Sequence, residues 1–240
     1  MKFRNFSIAA CLLLAAGSSW AGISVGSGGA ISLGQGALDL GGGNLVIDGQ
    51  FDLGGGAVSA VGDVIITGTL DGGSGALSLG GDWINDGAFD AGSSQVSMTD
   101  DAGDDSLIMG ASTFNALSLT SSAGGGFVLE SGLTQRVTNA LTILGASGQP
   151  VQIRSSSPPQ VAELVLDPGG SQNIAFVGVS DVHATGQHLA PNETNQGGSG
   201  NAFGWFGIGP LAVPTLSIGG LILLILAFFG VALFRRGGVT

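Results

Sequence analysis

A regular internal repeat constrains the fold of this chain more than any other feature. Residues 43–52, 62–71 and 81–90 share one frame, which is Gly, Asn or Asp, two apolar residues, a two-residue step, Gly, any residue, Phe or Leu, and Asp. A second set, residues 57–60, 76–79 and 95–98, recurs at the same 19-residue offset. A fixed period of this size is typical of a solenoid, in which each repeat forms one coil and packs on its neighbours.

Each repeat is predicted to form short strands, not helices. It holds about three apolar segments separated by Gly, Asn or Asp, and such close breaks leave no room for a helix. The chain has 46 Gly among 240 residues, and each Gly inside a helix costs about 1 kcal/mol relative to Ala. We therefore predict an all-β parallel β-helix domain over residues 22–206, with three strands per coil and roughly nine coils. The pattern leaves open which residue of each apolar pair faces inward.

The amino-terminal segment, residues 1–21, has the parts of a secretory signal. Lys2 and Arg4 precede the apolar stretch 6–16, and small residues stand before a cleavage position between Ala21 and Gly22. We predict a signal helix that signal peptidase removes after passage through the secretion translocase. The only cysteine lies in this segment, so the processed chain would have no disulfide, cysteine nucleophile or cysteine metal ligand.

The carboxy-terminal segment is predicted to enter a membrane. After a linker over 207–213, the chain has a short polar motif and an apolar run over 218–234. That run would span roughly 25 Å as a helix, close to the thickness of a bilayer core. The following Arg235 and Arg236 would stay on the cytoplasmic side, which leaves residues 22–213 outside. The motif consists of Val213, Pro214, Thr215, Leu216 and Ser217.

The order Pro-Thr-Leu, apolar helix and Arg-Arg resembles the IPTL-CTERM sorting signal, a relative of the PEP-CTERM signals. The resemblance covers residues 213–240. It implies a Gram-negative bacterium and processing by an exosortase-type membrane protease. A plain membrane anchor remains the alternative, and it would leave the protein permanently attached to the membrane.

The body resembles secreted bacterial β-helix proteins of the pectate-lyase-like superfold. Residues 81–90, 114–119 and 200–206 carry the resemblance, and within the last of them residues 203–206 are predicted to form a terminal apolar cap. It implies a right-handed coil. Some proteins of this superfold are polysaccharide lyases or hydrolases, which need paired carboxylates or a Ca²⁺ cluster with a basic residue.

The acidic charge narrows the set of partners. Residues 22–209 contain two basic residues, Arg136 and Arg154, against 17 acids, a formal charge of −15. Such a surface repels nucleic acid and anionic lipid, so we predict no nucleic-acid binding. It suits a soluble extracellular surface.

The candidate sites are carboxylates in the repeat and in one acidic turn. Asp52, Asp71 and Asp90 occupy the same position in successive repeats, and we predict that they close turns, with cation binding or glycosidic cleavage as the alternative. Asp100, Asp101, Asp104 and Asp105 are weak calcium candidates, for which a solvated acidic turn is the favoured interpretation. His183 and His188 lie five residues apart in a polar stretch without a nearby Cys or acidic triad, so we predict no metal or cofactor.

These observations predict a protein without enzymatic activity. Its role would be that of an exported structural or adhesive β-solenoid of the cell surface or extracellular matrix, with extracellular polysaccharide among its partners. A carbohydrate-active β-helix enzyme is the alternative.

Overall fold

Residues 22–100 and 103–207 of this computed structural model form a parallel β-solenoid of about eight turns. No helix occurs among these described residues, which confirms the all-β prediction for the body. Several predicted features lie outside the described residues. They are the signal helix, the sorting motif 213–217, the transmembrane helix 218–234, and Arg235 and Arg236. The predicted right hand of the coil stays a prediction.

Each regular coil contributes one strand to each of three sheets, and neighbouring strands in every sheet run parallel. Sheet A contains eight strands: β1 (Ile23–Val25), β4 (Leu45–Ile47), β7 (Val64–Ile66), β10 (Trp83–Asn85), β13 (Asp105–Met109), β15 (Gly126–Leu129), β17 (Val151–Ser155) and β20 (Val177–Ser180). Sheet B contains four: β2 (Ala30–Ser32), β5 (Gln50–Asp52), β8 (Thr69–Asp71) and β11 (Ala88–Asp90).

Sheet C is the longest sheet. It contains nine strands. Eight form a continuous row: β3 (Ala37–Asp39), β6 (Ala57–Val61), β9 (Ala76–Leu79), β12 (Gln95–Asp100), β14 (Ser112–Ser121), β16 (Thr134–Leu144), β18 (Ala162–Leu166) and β21 (Val182–His183). The ninth, β19 (Ser171–Ala175), pairs with β16 beside β18. The long strand β16 pairs with β18 through its first half and with β19 through its second half. The second and third sides of the coil therefore merge into continuous strands in the later turns.

The 19-residue register is confirmed in the early coils. Leu45 pairs with Val64, and Val64 pairs with Trp83, so residues one repeat apart lie side by side in sheet A. Sheets B and C show the same offset between β5, β8 and β11 and between β6, β9 and β12. The sequence frame therefore corresponds to stacked, equivalent coils.

The prediction of roughly nine coils is wrong, because the later coils are longer than the early ones. Trp83 pairs with Ile108, and Gly126 pairs with Gln152, so each of these coils contains more residues than the coil that joins Val64 to Trp83. The acidic segment after β12 and the loop after β17 take up part of the extra length. The described residues therefore form eight turns, each of which contributes one strand to sheet A.

Because side chains alternate between the two faces of a strand, every second side chain points into the solenoid. Leu45 and Ile47 are fully buried while Val46 between them is partly exposed, and β7 repeats this pattern. Phe51 of sheet B and Val58 of sheet C complete the core of the second coil. In sheet A, the first and third residues of each early strand thus face inward, which the sequence pattern had left open.

Glycine at the corners permits coils to stack closely. Gly73 has φ of +51°, a backbone conformation that side-chain-bearing residues rarely adopt. At Gly68, a methyl carbon would lie against the carbonyl oxygen of Gly49 and 2.6 Å from the carbonyl carbon of Asp48. Gly68 therefore has no room for a side chain at the observed coil spacing.

The carboxy-terminal turn is only partly the apolar cap that the sequence predicts. Trp205 is buried and Phe206 packs against the core, whereas Phe203 is 72% exposed. Over the described part of the chain, no helical segment is long and apolar enough to cross a bilayer.

Candidate functional surfaces

The predicted carboxylate row exists. Asp52, Asp71 and Asp90 end the strands of sheet B and lie next to one another in register. In each, Oδ1 accepts a hydrogen bond from the backbone N–H two residues later, which belongs to Gly54 (2.7 Å), Gly73 (2.9 Å) and Gly92 (3.1 Å). This geometry is that of Asx turns, which Asp side chains form by bonding their own backbone. Each carboxylate thus has one oxygen occupied by its own corner.

The second carboxylate oxygen has different surroundings along the row. Asp52 Oδ2 accepts a hydrogen bond of 2.9 Å from the Ser32 hydroxyl, one coil earlier. Asp71 and Asp90 are exposed. Within residues 22–100 and 103–207, no three His, Cys, Asp or Glu side chains come close enough together to hold a metal ion. The row therefore acts as a set of turn-closing acceptors on an open surface.

A second polar ladder follows the corner between sheets C and A. Asn44 Nδ2 donates to Asp63 Oδ2 at 2.9 Å, and Asn44 Oδ1 accepts from the Asp63 backbone N–H at 2.9 Å. Asp63 Oδ1 then accepts from the Asp82 N–H, and Asp82 Oδ1 accepts from the Leu107 N–H. These half-buried side chains hold consecutive coils together, which explains the Asn or Asp at the second position of the sequence frame.

The acidic turn after β12 does not gather its carboxylates at one point. Asp100 is buried at 4% exposure, with Oδ1 accepting from the Gly103 N–H at 2.9 Å and Oδ2 from the Ser121 hydroxyl at 3.4 Å. Asp104 is exposed, and Asp105 forms an ion pair with Arg154. Asp101 lies outside the described residues. Asp100, Asp104 and Asp105 thus lie in different environments, and these described residues do not form a common calcium site.

Both arginines of the solenoid are paired with carboxylates. Arg136 donates from Nε and Nη2 to the two oxygens of Asp167 at 2.8 and 2.9 Å. The hydrogen bond and the negative charge of Asp167 raise the pKa of Arg136 above its ordinary value.

The two histidines serve the carboxy-terminal turn. His183 Nε2 lies 3.2 Å from Asn201 Oδ1, and its ring contacts Phe203 edge-on with centroids 6.0 Å apart. His188 Nε2 contacts the backbone carbonyl of Phe206. Each histidine thus ties a different part of the last turn in place.

A buried polar network that joins the fourth, fifth and sixth coils was not predicted. The Trp83 indole N–H and the Asn85 amide both donate to the Ser112 hydroxyl at 3.0 Å. Gln135, which is 1% exposed, accepts from the Ser112 N–H and donates to the Gly110 carbonyl. Asn85 Oδ1 is buried without a hydrogen-bond partner in the described structure. The sequence contained a sign of this network, because Asn85 replaces an apolar residue at the inward-facing position that Ile47 and Ile66 occupy in earlier coils.

The outer surface of sheet C is an array of small and hydroxylated side chains. Ser78, Ser97, Ser118 and Thr142 stand next to one another in register across four coils, all partly exposed. Alanines form the neighbouring column in the early coils, and Thr99 and Thr120 approach within 3.1 Å through their hydroxyls. Parallel strands place such hydroxyls about 4.8 Å apart along the solenoid axis. The result is a smooth surface with regularly spaced hydrogen-bonding groups.

The outer surface of sheet A is apolar in the second to fourth coils. Val46, Ile65 and Ile84 stand in register, each partly exposed. At its amino-terminal end an open groove of about 390 Å³ runs beside β1 and is lined by Gly22, Ile23, Ser24, Gly42, Gly43, Asn44 and Val46. The two sheets therefore offer different chemistry to the surroundings.

Comparison with known proteins gives no relative from which a role could be transferred. No protein-family model, curated protein or solved structure matches the chain.

Proposed function

We propose that the protein is an exported structural or adhesive β-solenoid of the cell surface or extracellular matrix. The observation that carries the proposal is the continuous outer surface of sheet C, where Ser78, Ser97, Ser118 and Thr142 form one hydroxyl column across four coils. A regular column of this kind suits repeated contacts with an extended polymer better than recognition of one small molecule.

Extracellular polysaccharide is the ligand class that best fits this surface. Sugar hydroxyls both donate and accept hydrogen bonds, as do the Ser and Thr hydroxyls of sheet C. The excess of acids in residues 22–209 disfavours anionic polymers, including nucleic acid. A neutral polysaccharide is therefore the expected ligand.

Delivery to the surface rests on the chemistry of the terminal segments. Residues 1–21 would direct the chain to the secretion translocase and signal peptidase, which cuts between Ala21 and Gly22. The segment 218–234 would hold the precursor in the inner membrane, and the motif 213–217 would present it to an exosortase-type protease. Pro214 cannot continue a helix backward, so the chain just outside the bilayer would stay extended for cleavage.

The intact mass of the protein from its native host tests this processing. The expected mature chain begins at Gly22 and lacks the apolar segment 218–234. A mature chain that retains residues 217–240 would show a permanent membrane anchor instead. A mass that includes residues 1–21 would refute export through signal cleavage.

Polysaccharide assays separate the adhesive role from the enzymatic alternative. The purified protein is expected to bind neutral polysaccharides without shortening them. Ser97→Glu on sheet C should reduce binding, whereas Gln50→Glu, which adds the same charge on exposed sheet B, should not. Product formation that Asp71→Asn abolishes would overturn the adhesive role in favour of a glycosidic enzyme.

A further inference from the structure

The amino-terminal end of the solenoid presents three strand edges that no described residue covers. Strands β1, β2 and β3 each contain three residues and pair only with the second coil. Backbone bonds to that coil come from Ile23 and Val25 in β1, which leaves the N–H and C=O of Ser24 pointing away from it. The same alternation turns outward the backbone groups of Ala30, Ser32, Ala37 and Asp39.

The core of the first coil is also incompletely covered. Ile23, Ile31 and Leu38 face inward but remain partly exposed. Their register partners one coil later, Leu45, Phe51 and Val58, are at most 1% exposed. The first coil therefore lacks the neighbour that covers the second.

The opposite end of the solenoid is closed by the chain itself. The Gln196 N–H donates to the Val177 carbonyl at 2.9 Å, and the Ala184 N–H donates to the Phe203 carbonyl at 2.8 Å. These bonds cover part of the outer edge of the last coil, and the Gln172 side-chain amide bonds the backbone of His188 and Ala190 beside β19, so copies cannot stack there without displacing residues 184–206. In the described residues, the amino-terminal coil is the one in which all three strands pair on one side only.

We propose that this end binds a second copy of the same chain, head to head, about a twofold axis through β1. In this arrangement β1 pairs antiparallel with its own copy, and β2 pairs antiparallel with β3 of the second copy. Ser24 then lies opposite Ser24 of the second copy. Ala30 meets Asp39, Ile31 meets Leu38 and Ser32 meets Ala37 in the same way.

The register is self-complementary in both hydrogen bonds and side chains. Antiparallel ladders alternate hydrogen-bonded and non-hydrogen-bonded pairs, and every residue with free backbone groups would meet another such residue. About ten backbone hydrogen bonds would form at two per bonded pair. The non-bonded pair of Ile31 and Leu38 joins two inward-facing side chains, so the cores of the two copies would become continuous.

Other twofold axes do not match. An axis through β2 or β3 would place β1 opposite β3 or β2, so that Ser24, with free backbone groups, would meet Leu38 or Ile31, whose groups are already bonded. The axis through β1 also keeps the Asp39 carboxylates apart, since each lies opposite Ala30. Pairing occupies the first-coil edges of both copies. The assembly therefore closes as a dimer and does not grow into a filament.

The dimer rests on the proposed function in one respect, since removal of residues 1–21 makes Gly22 the first residue of the mature chain. The contact is small, since it consists of three strands of three residues each on either side. Dimerisation is therefore expected to depend on concentration, as would suit copies crowded on a cell surface.

The test uses the full chain expressed in an exporting Gram-negative host and purified in mild detergent. Molecular mass is measured by sedimentation, and amide hydrogen exchange is measured residue by residue, both at low and high protein concentration. We expect the mass to double at high concentration. Exchange at Ser24, Ala30, Ser32, Ala37 and Asp39 should slow at least tenfold, while amides bonded to the second coil should not change.

Variants at Ser24 separate pairing from folding. Ser24→Pro removes an N–H that faces away from the second coil, so the monomer should keep its unfolding midpoint but lose the dimer. Ser24→Ala is the matched control and should dimerise normally. A monomer at every concentration, a filament, or a dimer unaffected by Ser24→Pro would each overturn the proposal.

Failure of the dimer and failure of the processing are distinguishable. Intact mass shows whether residues 1–21 remain, independently of assembly. If they remain and protect the edge at every concentration, the chain covers its own end and the dimer is wrong. If they remain and protection still depends on concentration, the dimer stands and the predicted signal cleavage fails.

Discussion

Replacing Gly68 by Ala should separate two coils of the solenoid. The added methyl carbon would meet the Gly49 carbonyl oxygen and lie 2.6 and 2.7 Å from the carbonyl carbon and oxygen of Asp48. All three atoms are backbone of the preceding coil, so no side-chain rotation relieves the contact. The coils must move apart by about 1 Å, an overpacking change that typically costs about 1–3 kcal/mol.

That displacement also breaks backbone hydrogen bonds between the coils. Gly68 N–H donates to the Ile47 carbonyl and Thr69 N–H donates to the Gly49 carbonyl, each at 2.8 Å. Losing both costs about 1 kcal/mol per bond, which brings the expected loss of unfolding free energy to about 3–5 kcal/mol. Thermal unfolding followed by circular dichroism should show a midpoint lower by roughly 6–20 °C.

Gly26→Ala is the matched control at a corner of the first coil. No atom lies within 4 Å of a methyl carbon at Gly26, and its φ is not positive. This variant should be unchanged or stabilised by about 0.4–1 kcal/mol through the entropy of the unfolded chain. Equal midpoints for Gly68→Ala and Gly26→Ala would refute the close stacking of coils.

Three further predictions concern the polar network, the corner carboxylates and the terminal motif. Ser112→Ala leaves the buried Trp83 indole N–H without its acceptor and should cost about 2 kcal/mol in chemical unfolding; a loss below experimental error would contradict the network. Asp71→Ala should cost about 1 kcal/mol because the Gly73 N–H loses its acceptor, whereas Asp71→Asn, which keeps an oxygen there, should be close to neutral. Pro214→Ala should slow carboxy-terminal processing, measured as precursor accumulation by intact mass, and unchanged processing would refute the extended cleavage segment.

The regular part of the fold was predictable from sequence because its signal is local and repeated. Between residues 43 and 98, each coil has the same length, so the 19-residue offset in sequence equals one step along the solenoid. Beyond Asp100 the offset changes from coil to coil: Ala140 pairs with Ser171, a much longer step than the one from Ala57 to Ala76 in the early coils. A fixed period no longer reports coil number there, which is why nine coils were predicted and eight are found.

The polar groups were predictable to the extent that their partners are close in sequence. The turn-closing role of Asp71 needs only the Gly73 amide two residues later, and the prediction for it is confirmed by the geometry. The ion pair of Arg154 with Asp105 joins residues 49 apart, and the Trp83–Ser112 bond joins residues 29 apart. Such contacts depend on how irregular coils stack, which periodicity alone does not encode.

Scalar couplings across hydrogen bonds provide the most direct test of the stacked coils. In isotopically labelled protein, the amide nitrogen of Thr69 should couple to the carbonyl carbon of Gly49, and that of Ala88 to the carbonyl carbon of Gly68, since the corresponding bonds measure 2.8 and 2.9 Å. Both couplings join residues one coil apart. Couplings from these amides to carbonyls four residues earlier, or to a different offset in the two coils, would contradict a solenoid built from equivalent repeats.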